Sequence, residues 1–182
     1  MPSIFGHSAI GATAAYVCKT QFPEINFGRF CAVSVVAANL PDIDIVIHRG
    51  ILSQFEPLAH RNFCHSLLFA ATAAIAIGFT FYRVFSQRRF ALWLYFFLVI
   101  ASHDVIDAFT KGFGVAFLYP FDTAQYNFPF VPLNPAGWTL GEFDANNAIS
   151  RECLLIWLPM LIISAAVYCW RRYGKTTRLA QP

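Results

Sequence analysis

The chain has 182 residues, of which 57% are hydrophobic, 17% aromatic and only 13% charged. Ordinary soluble domains are about 45–50% apolar and about 25% charged. The composition therefore excludes a disordered chain, a collagen-like chain and a polar nucleic-acid module, and leaves too little polar surface for a soluble enzyme of this size.

A helix that crosses a bilayer needs about 20 apolar residues. The first apolar stretch, 4–18, is short, rich in Ala and Gly, and carries His7. It lacks a basic flank and a small-residue cleavage site, so an embedded helix is expected rather than a leader. The second, 28–47, is apolar from Phe30 to Pro41 and then meets Asp42 and Asp44. The third, 64–82, contains no Asp, Glu, Lys or Arg. The fourth, 90–110, is apolar up to Ser102 and then meets His103, Asp104 and Asp107. The fifth, 153–170, is uncharged, and Pro159 predicts a mild kink in it.

Between the last two, 111–151 is broken by Pro120, Pro129, Pro132, Pro135 and Gly137. Aromatic residues lie between the breaks, among them Phe117, Tyr119, Phe121, Tyr126, Phe128, Phe130 and Trp138. Such rings favour the membrane interface, so one long outer loop is expected there. The segment 171–182 reads as a basic cytoplasmic tail. The expected fold is all-α: one domain over 1–182, a polytopic membrane bundle of about five helices. The five cysteines, Cys18, Cys31, Cys64, Cys153 and Cys169, lack a CxxC spacing. Most sit in apolar runs and read as small buried hydrophobes, and a Cys64–Cys153 pair stays open.

Charge orients the bundle. With the C-terminus in the cytoplasm and five crossings, the N-terminus is outside. Nine of the thirteen Lys and Arg then fall inside: Lys19, Arg29, Arg83, Arg88, Arg89, Arg171, Arg172, Lys175 and Arg178. Of the acidic residues, Glu24 alone is inside. The same topology brings His7, Asp42, Asp44, His60, Arg61, His65, His103, Asp104 and Asp107 to one membrane depth near the outer face. Ionisable groups inside a membrane are costly and mark functional sites.

Imidazoles and carboxylates with almost no Lys suit zinc, manganese or iron. His103 and Asp107 are four residues apart and project from one helix face. Of Asp42 and Asp44, one is expected to ligate and the other to orient a ligand histidine. Taken singly, each residue has a plain reading. A histidine in an apolar helix is more often hydrogen-bonded structure than a ligand. HxxxD arises by chance, DxD is common at solvated helix ends, and His48 reads as a loop histidine. The coincidence of four histidines with the intramembrane aspartates favours a metal site over a structural polar network.

At these residues the chain resembles a known family. It shows HSAIGATAA from His7, LPDID at Leu40–Asp44, HRNFCHS at His60–Ser66 and SHDVIDAFT at Ser102–Thr110, followed by Gly114-Val115 and Tyr119-Pro120-Phe121. These blocks are similar to those of the YdjM/YbcI family of predicted membrane-bound metal-dependent hydrolases, over residues 7 to about 121. The chain departs from the family pattern at Ile45, at Asn62 and Cys64, and at Asp104, without losing a core ligand. The family is in turn similar to zinc-dependent phospholipases C. The resemblance implies that Asp44, His65, His103 and Asp107 hold a principal divalent cation and that His7 helps hold a second.

The expected activity is hydrolysis of a phosphoester, lipid or lipid-linked, at the outer interface of a bacterial inner membrane. One or two divalent ions, zinc first, with manganese or iron as alternatives, would activate water and polarise the substrate. His60 joins the expected metal set. Asp42 or Asp104 is expected as general base or orienter, and Arg61 as a planar fork for phosphate. An ion pair of Arg61 with Asp42 or Glu56 is the structural alternative. Membrane lipids are the expected partners, nucleic acid is not, and loop 111–151 is expected as a lid or lipid entrance. A non-catalytic metal-binding or metal-transporting protein, or an amidase or deacylase on the same site, is the alternative function. The apolar inner halves of the third and fifth segments argue against a through-path for ions.

Overall fold

A computed structural model describes residues 2–50, 59–82, 88–135 and 148–178. Among these the chain is helical and has no strand; the only β-type pairing is at two isolated bridges. Six α-helices occur in order: α1 (Ile4–Cys18), α2 (Phe27–Ala38), α3 (Ile43–Gly50), α4 (Leu67–Tyr82), α5 (Arg89–Ala108) and α6 (Leu158–Arg178). Short 3-10 turns at Leu40–Asp42 and Phe63–His65 lead into α3 and α4.

Two of these helices are long and apolar enough to cross a membrane, at Arg89–Ala108 and Arg151–Tyr173. The expectation of about five crossings is met only that far. Helices α1, α2 and α4 have 15, 12 and 16 residues. At 1.5 Å per residue α1 and α2 rise about 18–23 Å, short of a hydrocarbon core about 30 Å thick; the described part of α4 ends at the edge of the described residues. The expected second span, 28–47, is broken. Asn39 ends α2, and Pro41, which lacks a backbone donor, sits in the 3-10 turn before α3 restarts the helix. In the last span a π-helical stretch, Ala148–Trp157, precedes α6. It gives way to α-helix beside Pro159, where no amide can bond the carbonyl four residues back.

The core lies between α1, α2, α4 and α5. Phe30, Tyr95 and Phe96 form its aromatic centre, with Phe30 and Tyr95 centroids 4.8 Å apart. Small residues let α1 approach α2. A Cβ on Gly11 would fall 2.5 Å from the Ser34 carbonyl oxygen, so only glycine fits there. Ser34 Oγ donates to the Phe30 carbonyl and lies 2.7 Å from Tyr95 Oη, tying α2 to α5.

Helix α6 packs on α1 and is otherwise largely exposed. The π-helical stretch before α6 and α6 itself hold the two ends of α1. Glu152 meets Ser3 at the start of α1, and Arg171 donates to the Tyr16 and Val17 carbonyls at its end. The two helices therefore run parallel. All five cysteines are free thiols, and no Cys64–Cys153 bond forms.

The described part of the expected outer loop, 111–135, is stitched to the helices rather than hanging free. Lys111 N and Leu133 N donate to the Leu133 and Phe109 carbonyls, and Phe128 N donates to that of Ala108. Val115 and Tyr126 exchange two backbone hydrogen bonds. A side chain on the adjacent Gly114 would strike the backbone at Tyr126, 2.6 Å away. Trp138 lies outside the described residues.

Candidate metal centre

The site forms where four pieces of chain meet at one end of the bundle. The first turn of α1 brings His7, and the turn after α2 brings Asp42 and Asp44. The segment before α4 brings His60, Arg61 and His65. The last turns of α5 bring His103, Asp104 and Asp107. His7, Asp44, His65, His103, Asp104 and Asp107 are all buried.

His103 and Asp107 point from one face of α5, as their spacing requires. His7 stacks on His103 with centroids 3.7 Å apart, and its Nε2 lies 3.5 Å from Asp107 Oδ1. Two cationic rings at that separation would repel by about 4 kcal/mol at an effective dielectric constant of about 20, so the stack disfavours charge on both rings at once. His65 Nε2 lies 3.7 Å from Asp42 Oδ1 and 3.8 Å from Asp107 Oδ2. His103 Nε2 lies 3.4 Å from Asp42 Oδ1.

The far sides of three rings are anchored. His103 Nδ1 donates to the Ala38 carbonyl at 2.8 Å. His60 Nδ1 donates to Asp44 Oδ1 at 3.0 Å, and His65 Nδ1 lies 3.0 Å from Asp44 Oδ2. Asp44 also accepts the Arg61 amide. At His103 and His60 these contacts suit a ring proton on Nδ1, which would leave Nε2 free for a metal; His65 Nδ1 makes no hydrogen bond among the described residues.

Asp42 and Asp44 thus stand in different places. Asp44, expected among the ligands, has both oxygens turned to the backs of imidazoles. Asp42, expected as a base or orienter, directs Oδ1 at the Nε2 atoms of His65 and His103. Pro41 and the 3-10 turn set this difference: Asp42 closes the turn and Asp44 starts the next helix.

Arg61 forms an ion pair, though with an acid other than those expected. Its guanidinium is buried, 3.2 Å from Asp107 Oδ2, and it also donates to the Phe113 carbonyl. Its partner is Asp107 rather than Asp42, and Glu56 lies outside the described residues. The backbone of Arg61 is left-handed, with φ +70°, a conformation that costs a non-glycine residue about 1–3 kcal/mol. The ion pair and the Ala116 N–H bonded to its carbonyl hold it there. Asp104 is fully buried beside the cluster, close enough to act electrostatically on Cys64 and His65, and neither of its oxygens is hydrogen-bonded among the described residues. The side chain of His48 is outside the described set.

A divalent cation fits these donors. Buried polar atoms are normally hydrogen-bonded. Here His7 Nε2, His65 Nε2, His103 Nε2, Asp42 Oδ1 and both Asp107 oxygens have no hydrogen bond among the described residues, and they converge. Two triads can each place three ligand atoms within 4.8 Å of one another: His7, His103 and Asp107, and Asp42, His60 and His65.

Sequence reasoning missed two residues next to the site. Ser3 caps α1, accepting the Gly6 amide on Oγ. Glu152 is buried against Ser3. A serine just before a helical run is a readable cap signal. The acid lay just outside an apolar run taken to begin at Cys153.

The family model described as YdjM inner membrane protein matches residues 1–177. The inner membrane protein YbcI of Escherichia coli (strain K12) is 25% identical over 178 residues, covering 94% of this chain and 99% of that protein. No solved structure matches the chain.

Proposed function

The chain belongs to the YdjM family of inner membrane proteins, and from that premise we propose that it is a membrane-bound, metal-dependent hydrolase of phosphoesters. The observation that carries the reading is the convergence of unbonded histidine nitrogens and carboxylate oxygens in a buried cluster. In this reading His7, His103 and Asp107 hold one divalent cation, zinc first among the candidates, and Asp42, His60 and His65 hold a second. When bound, such cations supply Lewis acidity toward a phosphoryl oxygen and make nearby water more acidic.

The remaining roles belong to the chain itself. Asp44 fixes the tautomer and orientation of His60 and His65 through their Nδ1 atoms. Asp104, buried and without a hydrogen bond, takes up the proton released by the attacking water. Arg61 braces Asp107 and ties it to the loop through the Phe113 carbonyl, which supports a bracing role over direct capture of phosphate. The substrate is a lipid or lipid-linked phosphoester. Phe113 and Phe121, 78% and 88% exposed, support a loop that meets lipid at the same end of the bundle. The charge distribution supports an outer location for that end.

The reading is tested with protein in lipid nanodiscs, loaded with zinc or manganese and offered phospholipids and polyprenyl phosphates. Release of phosphate or a phosphorylated headgroup, abolished in Asp107→Asn at unchanged helix content, supports it. A loaded protein that hydrolyses none of them, while still holding its metal, favours a non-catalytic metal-binding protein.

A further inference from the structure

The histidines of the cluster are not held alike. His103 has the Ala38 carbonyl behind it and His60 has Asp44, while His65 Nδ1 lies 3.0 Å from Asp44 Oδ2 without a hydrogen bond. His7 has no such support. Neither of its ring nitrogens is hydrogen-bonded among the described residues; its ring stacks on His103, and its Nε2 lies 3.5 Å from Asp107 Oδ1. Its place must be set through its backbone, by the first turn of α1.

That turn is built on Ser3 and held by Glu152. Glu152 is 3% exposed and lies 149 residues away in sequence, in the π-helical stretch before α6. It accepts from Ser3 N at 2.9 Å, from Ser3 Oγ, and from Trp157 Nε1 at 3.2 Å. A Cβ on Gly6, the residue before His7, would lie 2.4 Å from Glu152 Oε1. The carboxylate is thus seated against the backbone of the turn, where the helix dipole favours a negative charge. The π-helical stretch widens the helix at the point where Glu152 enters.

We propose that Glu152 is the positioning residue for His7: it fixes the first turn of α1 and so places an imidazole whose Nδ1 has no hydrogen-bond partner among the described residues. The claim that this matters for metal binding rests on the metal-centre reading above; the claim that Glu152 places the ring does not. Arg171 offers the control. It joins α6 to α1 at the opposite end, through the Tyr16 and Val17 carbonyls.

The test uses the full chain in detergent micelles, labelled with 15N-histidine. The His7 resonances are identified by their loss in His7→Ala. Glu152→Ala and Gly6→Ala should shift them, Glu152→Gln should shift them less, and Arg171→Ala should leave them in place. If Glu152→Ala folds poorly, Gly6→Ala carries the same comparison. Unmoved His7 resonances in Glu152→Ala and Gly6→Ala, or an equal shift in Arg171→Ala, overturn the proposal. A cobalt(II) titration then separates the two readings. Glu152→Ala should weaken cobalt binding by about 10–100-fold, as loss of an orienting partner does, and should add no further loss when made in the His7→Ala background. A wild type that takes up no cobalt contradicts the metal centre, and the resonances alone then decide the role of Glu152.

Discussion

Asp44 stands behind His65, its Oδ2 3.0 Å from Nδ1, while Asp42 faces the same ring from the front, its Oδ1 3.7 Å from Nε2. Two carboxylates separated by one residue thus serve opposite faces of one imidazole. Asp42→Asn should remove a ligand and abolish binding at the Asp42–His60–His65 triad. Asp44→Asn should leave that ion in place but weaken it by about 10–100-fold. Calorimetric zinc titration of both variants checks the order; equal losses would contradict it.

Arg61 and Asp107 form a buried ion pair at 3.2 Å. Removing one partner of such a pair costs about 3–5 kcal/mol, because the other charge is left uncompensated. Arg61→Met should therefore lower the melting temperature of the metal-free protein. A bound divalent cation would compensate Asp107 instead, so zinc should restore most of the loss, and zinc affinity should rise relative to wild type. Thermal unfolding in detergent, with and without zinc, reads both effects.

Gly11 lies where a Cβ would meet the Ser34 carbonyl oxygen at 2.5 Å. Gly11→Val should force α1 away from α2, at about 1–3 kcal/mol of overpacking cost. Because His7 rides on α1, the same change should weaken metal binding. Gly78 has open space around it, and Gly78→Ala should be neutral or mildly stabilising in the same assays.

The exposed rings of Phe121 and Phe130 lie on the described part of the loop. If they meet lipid, Phe121→Ser with Phe130→Ser should reduce hydrolysis of vesicle-borne substrate several-fold. It should leave a water-soluble phosphoester unaffected. Equal losses on both substrates would point to a structural role for the rings.

Much of the candidate site was readable from sequence because ionisable residues are conspicuous in so apolar a chain. The His103–Asp107 spacing sets a shared helix face, and the helix ends carrying His7, Asp42 and His65 had to meet at one depth. A division of labour between Asp42 and Asp44 was expected, but which one faces which ring nitrogen was not readable, because that depends on where the 3-10 turn at Pro41 hands over to α3. The partner of Arg61 was hidden for a similar reason: a left-handed backbone turns its side chain inward. Glu152 escaped notice because its partner, Ser3, lies at the other end of the chain. The helix lengths also diverged from expectation. Apolar runs mark burial, but Asn39 and Pro41 stop a helix inside a run that hydropathy alone would carry on.

The central claim is that the converging histidine and aspartate atoms hold a divalent cation. Its most direct test is metal content by elemental mass spectrometry of detergent-purified protein, wild type beside His65→Ala/His103→Ala. The account predicts one to two equivalents of zinc, manganese or iron in the wild type, lost in the double variant while helix content is retained. A wild type that holds no metal, even after mild loading, would contradict it and leave the cluster as an intramembrane polar network.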